Sequence, residues 1–86
     1  MQVKIFFKAQ AGITDDLQLL LDQLTEQGIE YTLANVDEPT NSNSAEAYDI
    51  LAFPAVVVTR PDGGAVQSWQ HSLPQAQDIA NSLGRI

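Results

Sequence analysis

The chain has 86 residues, 44% of them hydrophobic, which is enough for one core and leaves no room for a second domain. Eleven acids against four bases give a net charge of −7, which repels phosphate backbones and anionic membrane surfaces, so neither nucleic acid nor membrane is an expected partner. There is no cysteine, so no disulfide, thiolate metal site or thiol redox pair can form. Met1 leads almost directly into a strand-like run without a basic and then apolar leader, and no apolar stretch approaches the roughly 20 residues of a membrane helix. A cytoplasmic location is expected on that basis.

Val3–Phe7 (VKIFF) is β-branched, aromatic and almost wholly apolar, which predicts a strand covered on both faces. Lys8–Thr14 (KAQAGIT) is a loop. In DDLQLLLDQLTEQG, Leu17, Leu20, Leu21 and Leu24 recur at i, i+3, i+4 and i+7, the apolar stripe of a helix. Thr14 stands where it can cap that helix. Asp15 and Asp16 put negative charge against the positive end of its dipole, and Gly28 stops it. Ile29–Val36 (IEYTLANV) alternates Ile29, Tyr31 and Leu33 with polar residues and predicts a second strand. Asp37–Ser44 (DEPTNSNS) is rich in turn formers and predicts a polar loop. Asn43 and Glu46 then have capping-box spacing, opening a short helix through Tyr48 to about Leu51.

Phe53-Pro54 breaks that helix. Ala55–Thr59 (AVVVT) predicts a buried third strand, RPDGG a tight turn, and Ala65–Gln70 (AVQSWQ) a fourth strand completing a hairpin. Trp69 is expected half-buried there; exposed, its ring would be an interface anchor. Ser72 and Gln75 have capping-box spacing with Pro74 in the first helical turn. Ala76, Ile79, Ala80 and Leu83 repeat the apolar stripe, and Gly84 closes it. The order is β-α-β-α-β-β-α, an α/β chain. Its first two strands should be parallel across a right-handed crossover and its last two antiparallel.

The residues that could carry chemistry are few. Asp15–Asp16 suits a helix start and Asp37–Glu38 a polar loop. Neither has the spacing of a cation-binding loop, so no metal site is predicted. Asp62-Gly63-Gly64 is turn chemistry, since no helix follows to complete a phosphate cradle. His71 is the sole histidine, and the sequence assigns it neither a nucleophile nor an orienting acid. Beside a bound ligand it would make binding respond to pH.

Three segments resemble the thioredoxin and glutaredoxin superfamily. VKIFFKAQAGITDDLQLLL is similar to the family's strand, loop, C-x-x-C and helix, with Ala11-Gly12-Ile13-Thr14 where C-x-x-C would stand. AYDILAFPAVVV resembles its helix, tight bend, cis-proline and buried strand, with Pro54 at the cis-proline position. RPDGGAVQSWQHSLPQAQDIANSLG resembles its hairpin, loop and last helix, with His71 where a glycine is usual. The resemblance implies that residues 1–86 are one glutaredoxin-sized thioredoxin-like domain, a four-stranded mixed sheet flanked by helices, with a cis bond at Pro54. A looser resemblance, to the circadian KaiB proteins, rests on DILAFPAVV. Those proteins also have a thioredoxin-like fold without needing the cysteine pair, and they act by binding partners.

The departures from the family decide what is left. Ala11 and Thr14 in place of the two cysteines remove the attacking thiolate and its resolving partner, which excludes thiol–disulfide exchange. A Gly-Gly-Asp kind of glutathione clamp is missing after the hairpin, where Trp69-Gln70-His71 stands, so glutathione is not implied and no cofactor is expected. The resemblance leaves a groove built from Ala11, Gly12, Ile13, Thr14, Phe53, Pro54 and His71, beside a backbone edge to which an extended peptide can add main-chain hydrogen bonds. A redox-inactive domain that binds a protein or peptide is therefore expected. A non-thiol enzyme or pseudo-oxidoreductase, and a structural subunit assembling through Trp69 or the sheet edge, remain open alternatives.

Overall fold

The two most apolar segments pair antiparallel as the central strands of a sheet, β1 (Gln2–Phe7) and β3 (Ala55–Thr59). The structure is a computed structural model that describes residues 2–10, 12–70 and 72–84. The shorter β2 (Thr32–Asn35) runs parallel to β1, and β4 (Ala65–Trp69) runs antiparallel to β3. The four-stranded order is β2-β1-β3-β4, a mixed sheet with the expected pairings at both ends. All five residues of β3 are buried, as an interior strand covered on both faces requires.

Helix α1 (Asp15–Glu26) buries the leucine stripe Leu17, Leu20, Leu21 and Leu24. Thr14 caps it, its Oγ1 accepting the Leu17 N–H at 3.3 Å, with Asp15 and Asp16 in the first turn. The helix ends in a Schellman motif. Gly28, at φ +71°, donates to the Thr25 carbonyl at 3.0 Å, and Ile29 donates to the Leu24 carbonyl at 2.9 Å. Ile29 is buried in the same cluster as Leu24. Its apolar character therefore belongs to the helix end, and the strand expected from Ile29 to Val36 begins only at Thr32. Leu33 is exposed and the buried strand position is Ala34, the opposite of the expected alternation.

Two expectations fail in the middle of the chain. The segment Asp37–Ser44 is not a loop: Pro39–Ala47 forms helix α2, with Pro39 at its start, where a missing N–H costs nothing. Asn43 and Glu46 accordingly lie inside this helix and do not cap one. The helix expected to open at Asn43 and run through Tyr48 to about Leu51 thus starts earlier and stops short of Leu51. Tyr48 is the C-cap, and a second Schellman pattern follows in which Asp49 takes the left-handed position at φ 58°. Asp49 donates to the Glu46 carbonyl at 3.0 Å and Ile50 to the Ala45 carbonyl at 2.9 Å. Ile50 and Ala45 pack together in one cluster.

Helix α3 (Ala76–Ser82) buries Ala76, Ile79 and Ala80. Its start differs from the expected Ser72–Gln75 box. Gln75 is the N-cap, the Asp78 carboxylate accepts the Gln75 N–H at 3.1 Å, and Pro74 lies before the helix. Helices α1 and α3 pack on one sheet face over Val3, Ile5, Val56 and Val58. The other face carries Phe6, Ala55 and Val57 against Ala34, Ala45 and Ile50. Trp69 is half-buried against the α1/α3 cluster, so its ring serves the core.

Candidate functional site

At the C-terminal end of β1 the chain leaves the sheet through Lys8 and returns through Thr14 into α1. The Phe53–Pro54 corner meets it there, just before β3. Phe7, Lys8, Gly12, Thr14, Leu17, Phe53 and Pro54 line a pocket of about 50 Å³. Gly12 sits at φ +66°, a left-handed conformation that a side chain would strain. The Phe53–Pro54 peptide bond is cis. Lys8 Nζ lies 5.5 Å from the centre of the Phe53 ring, over its negative face, and is the nearest cation to the site.

Of the residues expected to form a groove, Gly12, Thr14, Phe53 and Pro54 come together in this pocket. Ile13 is 42% exposed and does not line it. Ala11 and His71 lie outside the described residues. Thr14 Oγ1 faces the Leu17 amide, which is capping chemistry and not that of an activated nucleophile.

The corner is held by a residue that motif reading missed. The Gln70 side chain reaches back from the end of β4: its Oε1 accepts the N–H of Leu51 at 2.9 Å and of Ala52 at 3.3 Å, while its Nε2 donates to the Asp49 carbonyl at 3.2 Å. A single amide thus ties down the three residues of backbone that lead into Phe53. No spacing rule would have found it, because its partners are backbone groups 18 to 21 positions away. Beyond this tether, Phe53 makes no backbone hydrogen bond to any described residue.

A second and larger depression, about 960 Å³, opens between α1 and the segment that leads into α3. On α1 it is lined by Asp16, Leu19, Leu20, Gln23, Glu26 and Gln27, and on the other side by 72–77. Thr14 and Pro54 line both this depression and the small pocket, so the two are adjacent. Among the described residues there is no cluster of three or more His, Cys, Asp or Glu side chains, and no helix is long and apolar enough to cross a membrane.

A four-stranded mixed sheet in the order β2-β1-β3-β4, with helices on both faces and a proline corner entering β3, is a thioredoxin-like fold, here in a chain without cysteine. Thioredoxin 1 from the thermophilic eubacterium Thermosipho africanus TCF52B is similar to it with a TM-score of 0.65. The match covers 98% of this chain and 91% of that one at 10% sequence identity, so the likeness is one of fold. No protein-family profile matches the sequence, and no curated protein is recognisably similar to it.

Proposed function

We propose that this thioredoxin-like domain, redox-inactive for want of cysteine, binds an extended segment of a partner protein in the groove formed by Ala11–Thr14, Phe53–Pro54 and the loop around His71. The observation that carries the reading is the state of Phe53. Its backbone N–H and C=O have no partner among the described residues, and they sit beside an apolar pocket of about 50 Å³. A main-chain donor and acceptor next to a side-chain pocket is the combination that β-type peptide recognition uses: the backbone gives affinity and the pocket gives selectivity. One water's share of liquid volume is about 30 Å³, so the pocket suits one small aliphatic side chain.

The test is selection of peptides of about twelve residues from a random display library on the immobilised protein. Selected peptides should share a small apolar residue. They should bind Phe53→Asp at least about tenfold more weakly than Asn43→Asp, which adds the same charge on the exposed face of α2. If peptides survive Phe53→Asp undiminished, with the fold intact by circular dichroism, the Phe53 groove is not the site.

A further inference from the structure

The helix α1 presents two stripes. One, Leu17–Leu20–Leu21–Leu24, is core. The other runs through Asp16, Leu19, Gln23 and Glu26, at i, i+3, i+7 and i+10, and faces the larger depression. Leu19 is the odd member of the leucine set: it is 57% exposed, while the four core leucines are buried. The depression therefore has an exposed leucine on its α1 wall between a carboxylate towards each end, and no cation among its described lining residues. Among the described residues the basic side chain near the path is Lys8, at the far side of the small pocket over Phe53.

We propose that the partner segment bound at Phe53 continues past Thr14 and Pro54 into the α1–α3 depression, and that this continuation is basic, setting an apolar side chain on Leu19 between cations that face Asp16 and Glu26. This rests on the Phe53 reading and adds the partner's chemistry to it. Two observations select that occupant. The small pocket and the depression both have Thr14 and Pro54 in their lining, so a chain leaving one reaches the other across these two residues. Among the described residues lining the depression the charge is of one sign, in a protein of net charge −7, so an acidic or phosphorylated segment is repelled and a basic one attracted. Ten helical residues separate Asp16 from Glu26, about 15 Å at 1.5 Å per residue, which an extended chain covers in about five residues. The expected motif is two basic residues about five apart with an apolar residue between them, next to a small apolar residue for the Phe53 pocket.

The same library of peptides of about twelve residues tests this on the intact chain and three variants: Phe53→Asp, Asp16→Asn combined with Glu26→Gln, and Leu19→Ser. Lys and Arg should be enriched at the predicted spacing. A synthetic basic peptide taken from the selection should lose about threefold to tenfold in affinity on the double carboxylate variant, as removal of two exposed ion pairs predicts. A version with its basic residues changed to Ser should bind both proteins equally. Leu19→Ser should weaken both peptides, and high salt should weaken only the basic one. Peptides without basic enrichment, or equal binding to the double variant while Phe53→Asp abolishes it, overturn this inference and leave the Phe53 groove standing. Binding that depends on the carboxylates but not on Phe53 overturns the continuous path and the Phe53 reading together. Selection of no peptide at all overturns both as well.

Discussion

Gln70 holds the corner that carries the candidate site, and removing its amide tests that assignment. Gln70→Ala deletes three hydrogen bonds at once, to the amides of Leu51 and Ala52 and the carbonyl of Asp49. Each would contribute about 0.5–1.5 kcal/mol if buried. Two of the three are exposed, so water replaces part of what is lost. The expected cost is about 1–2 kcal/mol, or roughly 5–15 °C in Tm for a domain of this size. Gln67→Ala, on the same edge strand with its side chain exposed, is the control and should change stability by less than about 0.5 kcal/mol. Calorimetry reads the global effect. Amide hydrogen exchange reads the local one, and Leu51 and Ala52 should exchange faster in Gln70→Ala while β1 and β3 amides change only with overall stability. If Gln70→Ala melts with Gln67→Ala and the two amides keep their protection, the tether does not hold the corner.

Asp49→Gly should stabilise the protein by up to about 1 kcal/mol, because Asp49 closes α2 in the left-handed conformation that glycine adopts without cost; Asp49→Val should destabilise it, and equal melting temperatures for the two would refute the strain assigned to this position. Ala11→Cys combined with Thr14→Cys should form an intramolecular disulfide under mild oxidant, seen by mass spectrometry as the loss of two hydrogens. A persistent dithiol would show that these residues do not occupy the C-x-x-C register.

What the sequence made legible follows from how each element is stabilised. The strands β1 and β3 and the helices α1 and α3 are held by burial, and burial writes itself into composition and periodicity: a continuous apolar run for β3, a leucine stripe for α1. Helix α2 is different. Its only buried residue is Ala45, so it carries no stripe, and its Ser, Thr and Asn residues read as a loop. Pro39 was the one available sign of its start. The early end of that helix was hidden because Asp49, not glycine, supplies the left-handed turn. Leu51, read as helical, is 87% exposed in the connection. At the site, Gly12, Thr14, Phe53 and Pro54 were legible through a resemblance of motif order. Gln70 and the α1–α3 depression were not, because both arise from contacts between segments far apart in sequence.

If the chain binds an extended segment as proposed, the energetics call for both cavities. A side chain the size of valine in the small pocket would contribute about 1.5–3 kcal/mol if fully buried. Main-chain hydrogen bonds to Phe53 add about 0.5–1.5 kcal/mol each. Association costs an estimated 4–15 kcal/mol in lost rotational and translational freedom before any contact is counted. This chain has no thiol and so no covalent step. Recognition at Phe53 alone would therefore be millimolar or weaker. The depression of about 960 Å³, which shares Thr14 and Pro54 with the small pocket, is where additional apolar and charged contacts would be available. On this reasoning a peptide cut back to the part that fills the Phe53 pocket should lose nearly all measurable affinity. If such a truncated peptide binds as tightly as the full segment, the small pocket is sufficient and the depression contributes nothing.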